Sequence, residues 1–271
     1  MFSFQDYAAP ETVEEALALL NKSRKNKILG GTAWLRMSNL KLHTGIDLKN
    51  LGLDTIYEQD ETVHIGTCCT LRQAETDPLL RSCCGGLITE SLSNIVGVQF
   101  RAVAQVGASV FARYGFSDLL PSLLACDASV RLAKFGILPL EDFLNRPFFR
   151  DILLEILLPS QTGKGKSACL RNSAGDFAIL NGAVYLDRTV CRVAIGARPQ
   201  CATLARNAGK FVLQNCATLS ADDLAERAAL LATEELQFGS NMRGSEDYRR
   251  EMCKVLVRRM LRPLLEKEEG H

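Results

Sequence analysis

Hydrophobic positions near the start of the chain recur at helical intervals. Val13, Ala16, Leu17 and Leu20 share one face, and Thr12 with Glu15 forms a capping-box pattern in front of them. A helix is predicted there, ended by the polar run 21–26. Residues 27–29 read as a short strand running into Gly30-Gly31-Thr32, followed by a short helix around 34–40 and a strand over 45–48. This alternation predicts an α/β unit with some parallel pairing. From Asp54 the pattern becomes a hairpin, with strands at 54–57 and 62–66 around a polar turn. Residues 71–80 read as a helix interrupted by Pro78, and 85–94 as a helix with Leu87, Ile88, Leu92 and Ile95 on one side. Residues 98–109 are rich in strand formers and are predicted as β. An apolar helix over 122–126, a strand over 128–133, a turn with a short helix over 138–143 and a strand over 151–158 closed by Pro159 complete this part.

Residues 160–167 are polar, basic and glycine-containing, and are predicted as a linker. Beyond it, two β-rich runs at 177–186 and 191–197 precede helices over 202–210, 221–236 and 245–265. The last helix has Met252, Val255, Leu256, Met260 and Leu261 on one face. Arg249, Arg250, Arg258, Arg259 and Arg262 are assigned to a solvated opposite face. This second part is predicted as a small sheet packed on helices.

Charge and composition narrow the field. The 271 residues hold 32 Lys+Arg and 31 Asp+Glu, a net charge of +1, with 47% hydrophobic residues. Disorder, collagen and nucleic-acid binding by bulk positive charge are excluded. Apolar runs are broken at Glu90, Asp118, Asp127 or Glu155 before reaching the roughly 18 residues of a membrane span. The first seven residues lack a basic and apolar leader pattern, so the cytoplasm is the expected compartment and no membrane partner is expected. Ten cysteines without any Cys-x-x-Cys, including the adjacent pairs Cys68-Cys69 and Cys83-Cys84, are expected as free thiols rather than a metal centre. His43, His64 and His271 are too few for a His-rich centre, and no Gly-x-Ser-x-Gly elbow supports a triad.

Three small or polar stretches hold the candidate chemistry. Gly165-Lys166-Ser167 resembles the tail of a P-loop, but Ser160 stands where the required glycine belongs. Gly30-Gly31-Thr32 follows a strand and offers main-chain N–H groups and a hydroxyl to phosphate oxygens. Val106-Gly107-Ala108-Ser109 is a second stretch of this kind. Each alone is more often a turn or a packing site, and Gly-x-Gly-x-x-Gly is absent. With Ser117-Asp118 they form three loops in one predicted domain, which suits a long, bent dinucleotide.

At these residues the chain resembles the FAD-binding subunits of the molybdenum hydroxylases, the xanthine dehydrogenase and aerobic carbon monoxide dehydrogenase family. Ile28-Leu-Gly-Gly-Thr-Ala-Trp34 is similar to the family's flavin loop, and Phe100-Arg-Ala-Val-Ala-Gln-Val-Gly-Ala-Ser109 to its Ile-Arg-Asn-Val-Ala-Thr-Ile-Gly-Gly-Asn stretch. The run 117–128, Leu138-Pro-Leu-Glu-Asp-Phe143, Gly175-Asp-Phe-Ala178 and 243–250 are also family-like, in family order. Gln105, Ala108 and Ser109 stand where the family has threonine, glycine and asparagine. Alanine there adds a Cβ, which is unfavourable wherever φ must be positive.

The resemblance implies an α+β fold: a two-part FAD-binding domain of the vanillyl-alcohol oxidase type over 1–162, with subdomains about 1–52 and 53–162, then a small C-terminal domain over 167–271. It implies FAD held by Leu29, Gly30, Gly31, Thr32, Ala33 and Trp34, by Val106, Gly107, Ala108 and Ser109, and by Asp118 as an acceptor, with Ile95 and Leu153 against the rings. It implies an electron-transfer role beside a molybdenum-cofactor large subunit and a 2Fe-2S small subunit, delivering to NAD or another acceptor, with no acid/base residue of its own. A flavin-free scaffold subunit is the alternative. A self-contained flavin oxidase is disfavoured because no substrate-base constellation is present.

Overall fold

The computed structural model describes residues 2–266; Met1 and the tail 267–271, which includes His271, lie outside the described residues. Near the N-terminus, β1 (Ser3–Ala8), β2 (Lys27–Ile28) and β3 (Lys41–Ile46) form a parallel sheet in the order β1–β3–β2. The helix α1 (Val13–Lys22) crosses over between β1 and β2 and buries Ala16 and Leu20. Thr12 caps it, its Oγ1 accepting from the Glu15 amide, while the Glu15 carboxylate accepts from the Glu11 amide. β1 escaped the sequence reading because almost all its residues are exposed, leaving no hydrophobic alternation to see.

Next come β4 (Ile56–Gln59), β5 (Thr62–Gly66), β6 (Ser129–Leu132), β7 (Gly136–Pro139) and β8 (Leu153–Pro159), an antiparallel sheet in the order β4–β5–β8–β6–β7. The predicted hairpin turns through Asp60 and Glu61, both at positive φ, the geometry that matches strand twist. Val63, Ile65, Val130, Leu132, Ile156 and Leu158 point inward against a layer of short helices. These are α2 (Leu71–Thr76), α3 (Pro78–Ser82), α4 (Leu87–Ser93), α5 (Val98–Arg101), α6 (Val106–Phe111), α7 (Leu119–Ala125) and α8 (Leu140–Asn145). The interruption predicted at Pro78 is present: α2 ends at Thr76 and Pro78 opens α3, with Asp77 capping the Leu79 and Leu80 amides.

Two expectations fail in this region. Residues 98–109 are not a strand but two short helical segments, 98–101 and 106–111, joined by a turn with one isolated bridge at Gln105, and Arg101, Ala104, Gly107 and Val110 are buried at three-residue intervals. The period was hidden because a charged residue holds one inward position, where Arg101 forms a two-pronged pair with Glu75. The linker shrinks to 160–163, because β9 (Lys164–Leu170) pairs along its length with β10 (Leu180–Leu186). Its glycines serve close packing. A Cβ on Gly165 would lie 2.5 Å from the Cys84 carbonyl, and one on Gly163 would lie 2.5 Å from the Tyr185 hydroxyl.

β9, β10, β11 (Cys191–Gly196) and β12 (Thr203–Leu204) form the last sheet, antiparallel, backed by α9 (Arg206–Asn215), α10 (Ala221–Glu235) and α11 (Glu246–Leu265). Ala183, Tyr185 and Ala194 of this sheet share one core with Leu119, Leu120 and Leu123 of α7, so the two halves of the chain bury a common interior. Arg249 does not lie on the solvated face assigned to it. It is fully buried and donates to the carbonyls of Ile179, Gly239 and Gly244 and to Asn241 Oδ1.

Candidate functional site

The chain leaves the parallel sheet at the carboxyl end of β2, the side on which parallel sheets receive ligands. The Leu29 amide makes the last ladder bond, to the Ile46 carbonyl. Gly31 and Thr32 then take positive φ, +68° and +54°. Among the described residues the amides of Gly30, Gly31, Thr32 and Ala33 have no protein acceptor. Successive main-chain donors in such a bend make an anion-binding concavity. Trp34 and Leu35 carry the loop into a 3-10 turn, closed by the Arg36 amide on the Thr32 carbonyl.

The second stretch meets the first. A Cβ on Gly30 would lie 2.4 Å from Ala108 Cβ, and one on Gly31 would lie 2.0 Å from the Val103 carbonyl. Gln105 Oε1 also lies beside Gly30. The amides of Val106, Gly107 and Ser109 are already used, donating to the carbonyls of Cys69, Thr67 and Gln105. The Ser109 hydroxyl donates to Gln105 as well. Gly107 is small because it packs on Thr67, and Ala108 sits in a helical turn at an ordinary φ, so no backbone penalty attaches to the alanine.

Asp118 stands at the head of α7 with both oxygens engaged. Oδ2 accepts from Arg171 at 2.8 Å and Oδ1 from Asn181 at 2.8 Å. Arg171 also donates to the Asn94 carbonyl, and Arg101 donates to the Ile95 carbonyl. Directly after these two clamped carbonyls Val96 takes φ +47°, a strained value for a β-branched residue. Burial works to raise the Glu75 carboxyl, but its pairs with Arg101 and Arg72 hold it below the usual range. Beside Arg171, burial and then Asp118 push the Cys169 thiol up to about 12. Ile95 is half-buried against the main core, and Leu153 is 3% exposed within it.

An aromatic cluster joins these parts. The Trp34 ring lies 5.3 Å from Phe177, 5.5 Å from Phe116, 5.7 Å from Tyr114 and 6.5 Å from Phe100. Phe116 and Phe177 approach to 4.2 Å, and Arg243 covers Phe177 while pairing with Asp176. The Phe177 amide, with Arg243, holds the Asp176 carboxyl below its usual value. Tyr114, Phe116, Arg171, Asn181 and Gln105 were not predicted as site residues. Scattered single aromatics and polar residues carry no periodicity, and only the Gly175–Ala178 match pointed to this segment. The ten cysteines are free, seven of them buried. Among the described residues no three His, Cys, Asp or Glu side chains converge as a metal site, and no helix is long and apolar enough to cross a membrane.

Comparison with known proteins gives the family of the chain. Residues 2–161 match the family model described as FAD binding domain in molybdopterin dehydrogenase. Residues 168–264 match CO dehydrogenase flavoprotein C-terminal domain. The chain is 30% identical to the nicotinate dehydrogenase FAD-subunit of Eubacterium barkeri over 60% of this chain and 61% of that protein. It is 25% identical to the nicotine 6-hydroxylase medium subunit of Paenarthrobacter nicotinovorans over 94% of this chain and 95% of that one. Its fold is similar to a chain of quinoline 2-oxidoreductase from Pseudomonas putida 86, with a TM-score of 0.87, 21% identity and 97% of each chain covered. A chain of carbon monoxide dehydrogenase from Oligotropha carboxidovorans gives a TM-score of 0.86 at 22% identity, covering 97% of this chain and 98% of that one.

Proposed function

The chain belongs to the family of FAD binding domains in molybdopterin dehydrogenases, and from that membership we propose that it is the flavin-carrying, electron-relaying medium subunit of a molybdenum hydroxylase complex. We read 1–162 as a two-part FAD domain of the vanillyl-alcohol oxidase type, with the C-terminal domain following. The partners are a molybdenum-cofactor large subunit and a 2Fe-2S small subunit, and the electrons leave to NAD or another acceptor.

FAD, when bound, supplies the capacity to take electrons singly and release them as a pair. The chain's own residues bind and orient. The amides of Gly30 to Ala33, flanked by Leu29 and Trp34, hold the pyrophosphate. Val106, Gly107, Ala108 and Ser109 brace that loop by packing, and the Gln105 side chain beside Gly30 is the polar group in reach. Asp118, oriented by Arg171 and Asn181, accepts from a cofactor hydroxyl with its remaining lone pairs. Ile95 and Leu153 stand on the apolar side, and the Trp34 cluster excludes water. The observation that carries this reading is the run of four unpaired amides at the carboxyl end of β2.

Trp34 is the single tryptophan of the chain, so flavin arriving at this loop reports itself. Titrating FAD into the purified chain is expected to quench tryptophan fluorescence and to saturate at one equivalent. A colourless protein that takes up no FAD, with unchanged fluorescence, favours the scaffold alternative. That alternative draws on Ala108 Cβ filling the space beside Gly30 and on the engaged amides of Val106, Gly107 and Ser109.

A further inference from the structure

The β6–β7 hairpin and the segment after α8 expose three large apolar side chains: Phe135 is 48% exposed, Ile137 56% and Phe148 71%. Phe149 roots this patch, its ring 4.9 Å from Phe135 and 5.9 Å from the buried Phe143. Arg113 lies among the rings. It follows α6 at φ +50°, and its guanidinium stacks on Phe143, Phe148 and Phe149 at 4.0, 4.9 and 5.2 Å. Nη1 donates to the Arg146 carbonyl, but Nε and Nη2 are buried with no acceptor.

Among the described residues neither Arg113 nor Arg146 has a carboxylate within ion-pair distance. Arg146 lies over Phe135 instead. Two nearby acids are committed elsewhere, Asp151 accepting from the amides of Lys134, Phe135 and Ile152 and Glu141 pairing with Arg206, while Asp142, one turn before Arg146, does not pair with it. Burial accordingly depresses the Arg113 pKa. Aromatic faces repay part of the cost of a desolvated cation, but not its missing acceptors. The ring covering Arg113 is at the same time among the most exposed on the molecule.

We propose that this face docks a partner subunit, which offers an apolar pocket to Phe148 and a carboxylate to the exposed Arg146. The inference rests on reading the chain as one subunit of a larger assembly. Charge decides the occupant. A second copy meeting this face through the same patch brings two more unpaired arginines, whereas an acidic, pocketed surface pairs Arg146 and covers the aromatics. Aromatic and arginine anchors are also the residues that dominate binding energy at such contacts. The position suits electron delivery: Ala108 within α6 touches Gly30, and Arg113 follows the end of that helix five residues later, roughly 8 Å at the helical rise per residue.

The test uses the complex purified from its own cells through a tag on this chain. Phe148→Ala with Arg146→Glu is expected to cut the co-purifying partner at least tenfold, while the free variant keeps the wild-type melting temperature and FAD uptake. Benzoylphenylalanine in place of Phe148 is expected to photo-cross-link to another subunit, at a peptide containing Asp or Glu. Unchanged partner stoichiometry overturns the proposal and leaves the subunit reading standing. Cross-linking only to a second copy overturns it too, as does variant-sensitive recruitment to anionic lipid vesicles. A wild-type chain that purifies without any partner removes the subunit reading, and this proposal with it.

Discussion

A methyl group on Gly107 would lie 1.6 Å from Thr67 Oγ1 and 2.7 Å from Thr67 Cβ, inside any permitted contact. Gly107→Ala is therefore expected to destabilise the protein by roughly 1–3 kcal/mol, as overpacking does. Thr67→Ala should recover part of that loss in the double variant, because the nearest atom is gone. Urea unfolding of the four proteins measures the coupling; strictly additive effects would show that Thr67 is not what Gly107 accommodates. Gly31 is constrained differently, by φ +68° as well as by the Val103 carbonyl. Both glycines were visible as small residues in candidate loops. Which one leaves amides free for a ligand and which one fits against a threonine depends on neighbours far away in the chain.

At the scale of elements, α11 shows what periodicity reads well and badly. Its extent and its inward Leu256, Met260 and Leu261 follow from the sequence, and the structure adds Ser245 as its cap. Arg249 does not, because a guanidinium on the first turn is ordinarily solvated. Here it gathers the carbonyls of Ile179, Gly239 and Gly244, tying α11 to β10 and to the loop before the helix. Arg249→Met is expected to cost on the order of 3–5 kcal/mol, since buried acceptors lose their donor together. Arg249→Lys should rescue little, because one ammonium cannot span that fan of carbonyls. Chemical denaturation reads both, and a methionine variant as stable as wild type would refute the bracing role. The helices over 98–111 make the same point: a buried Arg101 breaks the hydrophobic pattern that would have announced them.

For the whole molecule, the shared interior predicts cooperative unfolding. Leu119, Leu120 and Leu123 pack in one cluster with Ala183, Tyr185 and Ala194, and Glu90 bonds to Lys166 and Ser167 across the same junction. Calorimetry is expected to show a single transition; two separated transitions would mean that the halves fold independently. Its pH dependence follows from thiols on both sides of the junction. Burial raises Cys68, Cys191 and Cys253 from 9.0 to about 12. A pKa raised in the folded state stabilises fully below the unfolded value, so this contribution holds up to about pH 9 and is lost as pH rises toward 12. Serine at these positions should flatten that decline.

Local chemistry was determined by the sequence itself: the capped α1, the hairpin at Asp60 and Glu61, the free-thiol composition and the short motifs in family order, because each depends on residues within a few positions of one another. Tertiary structure decided the rest. It placed two short helices within 98–111, drew the linker into β9, buried Arg249 and left two of the Arg113 nitrogens without an acceptor. In each case the outcome depends on which distant donor, acceptor or wall a residue meets, and spacing along the chain does not encode that meeting.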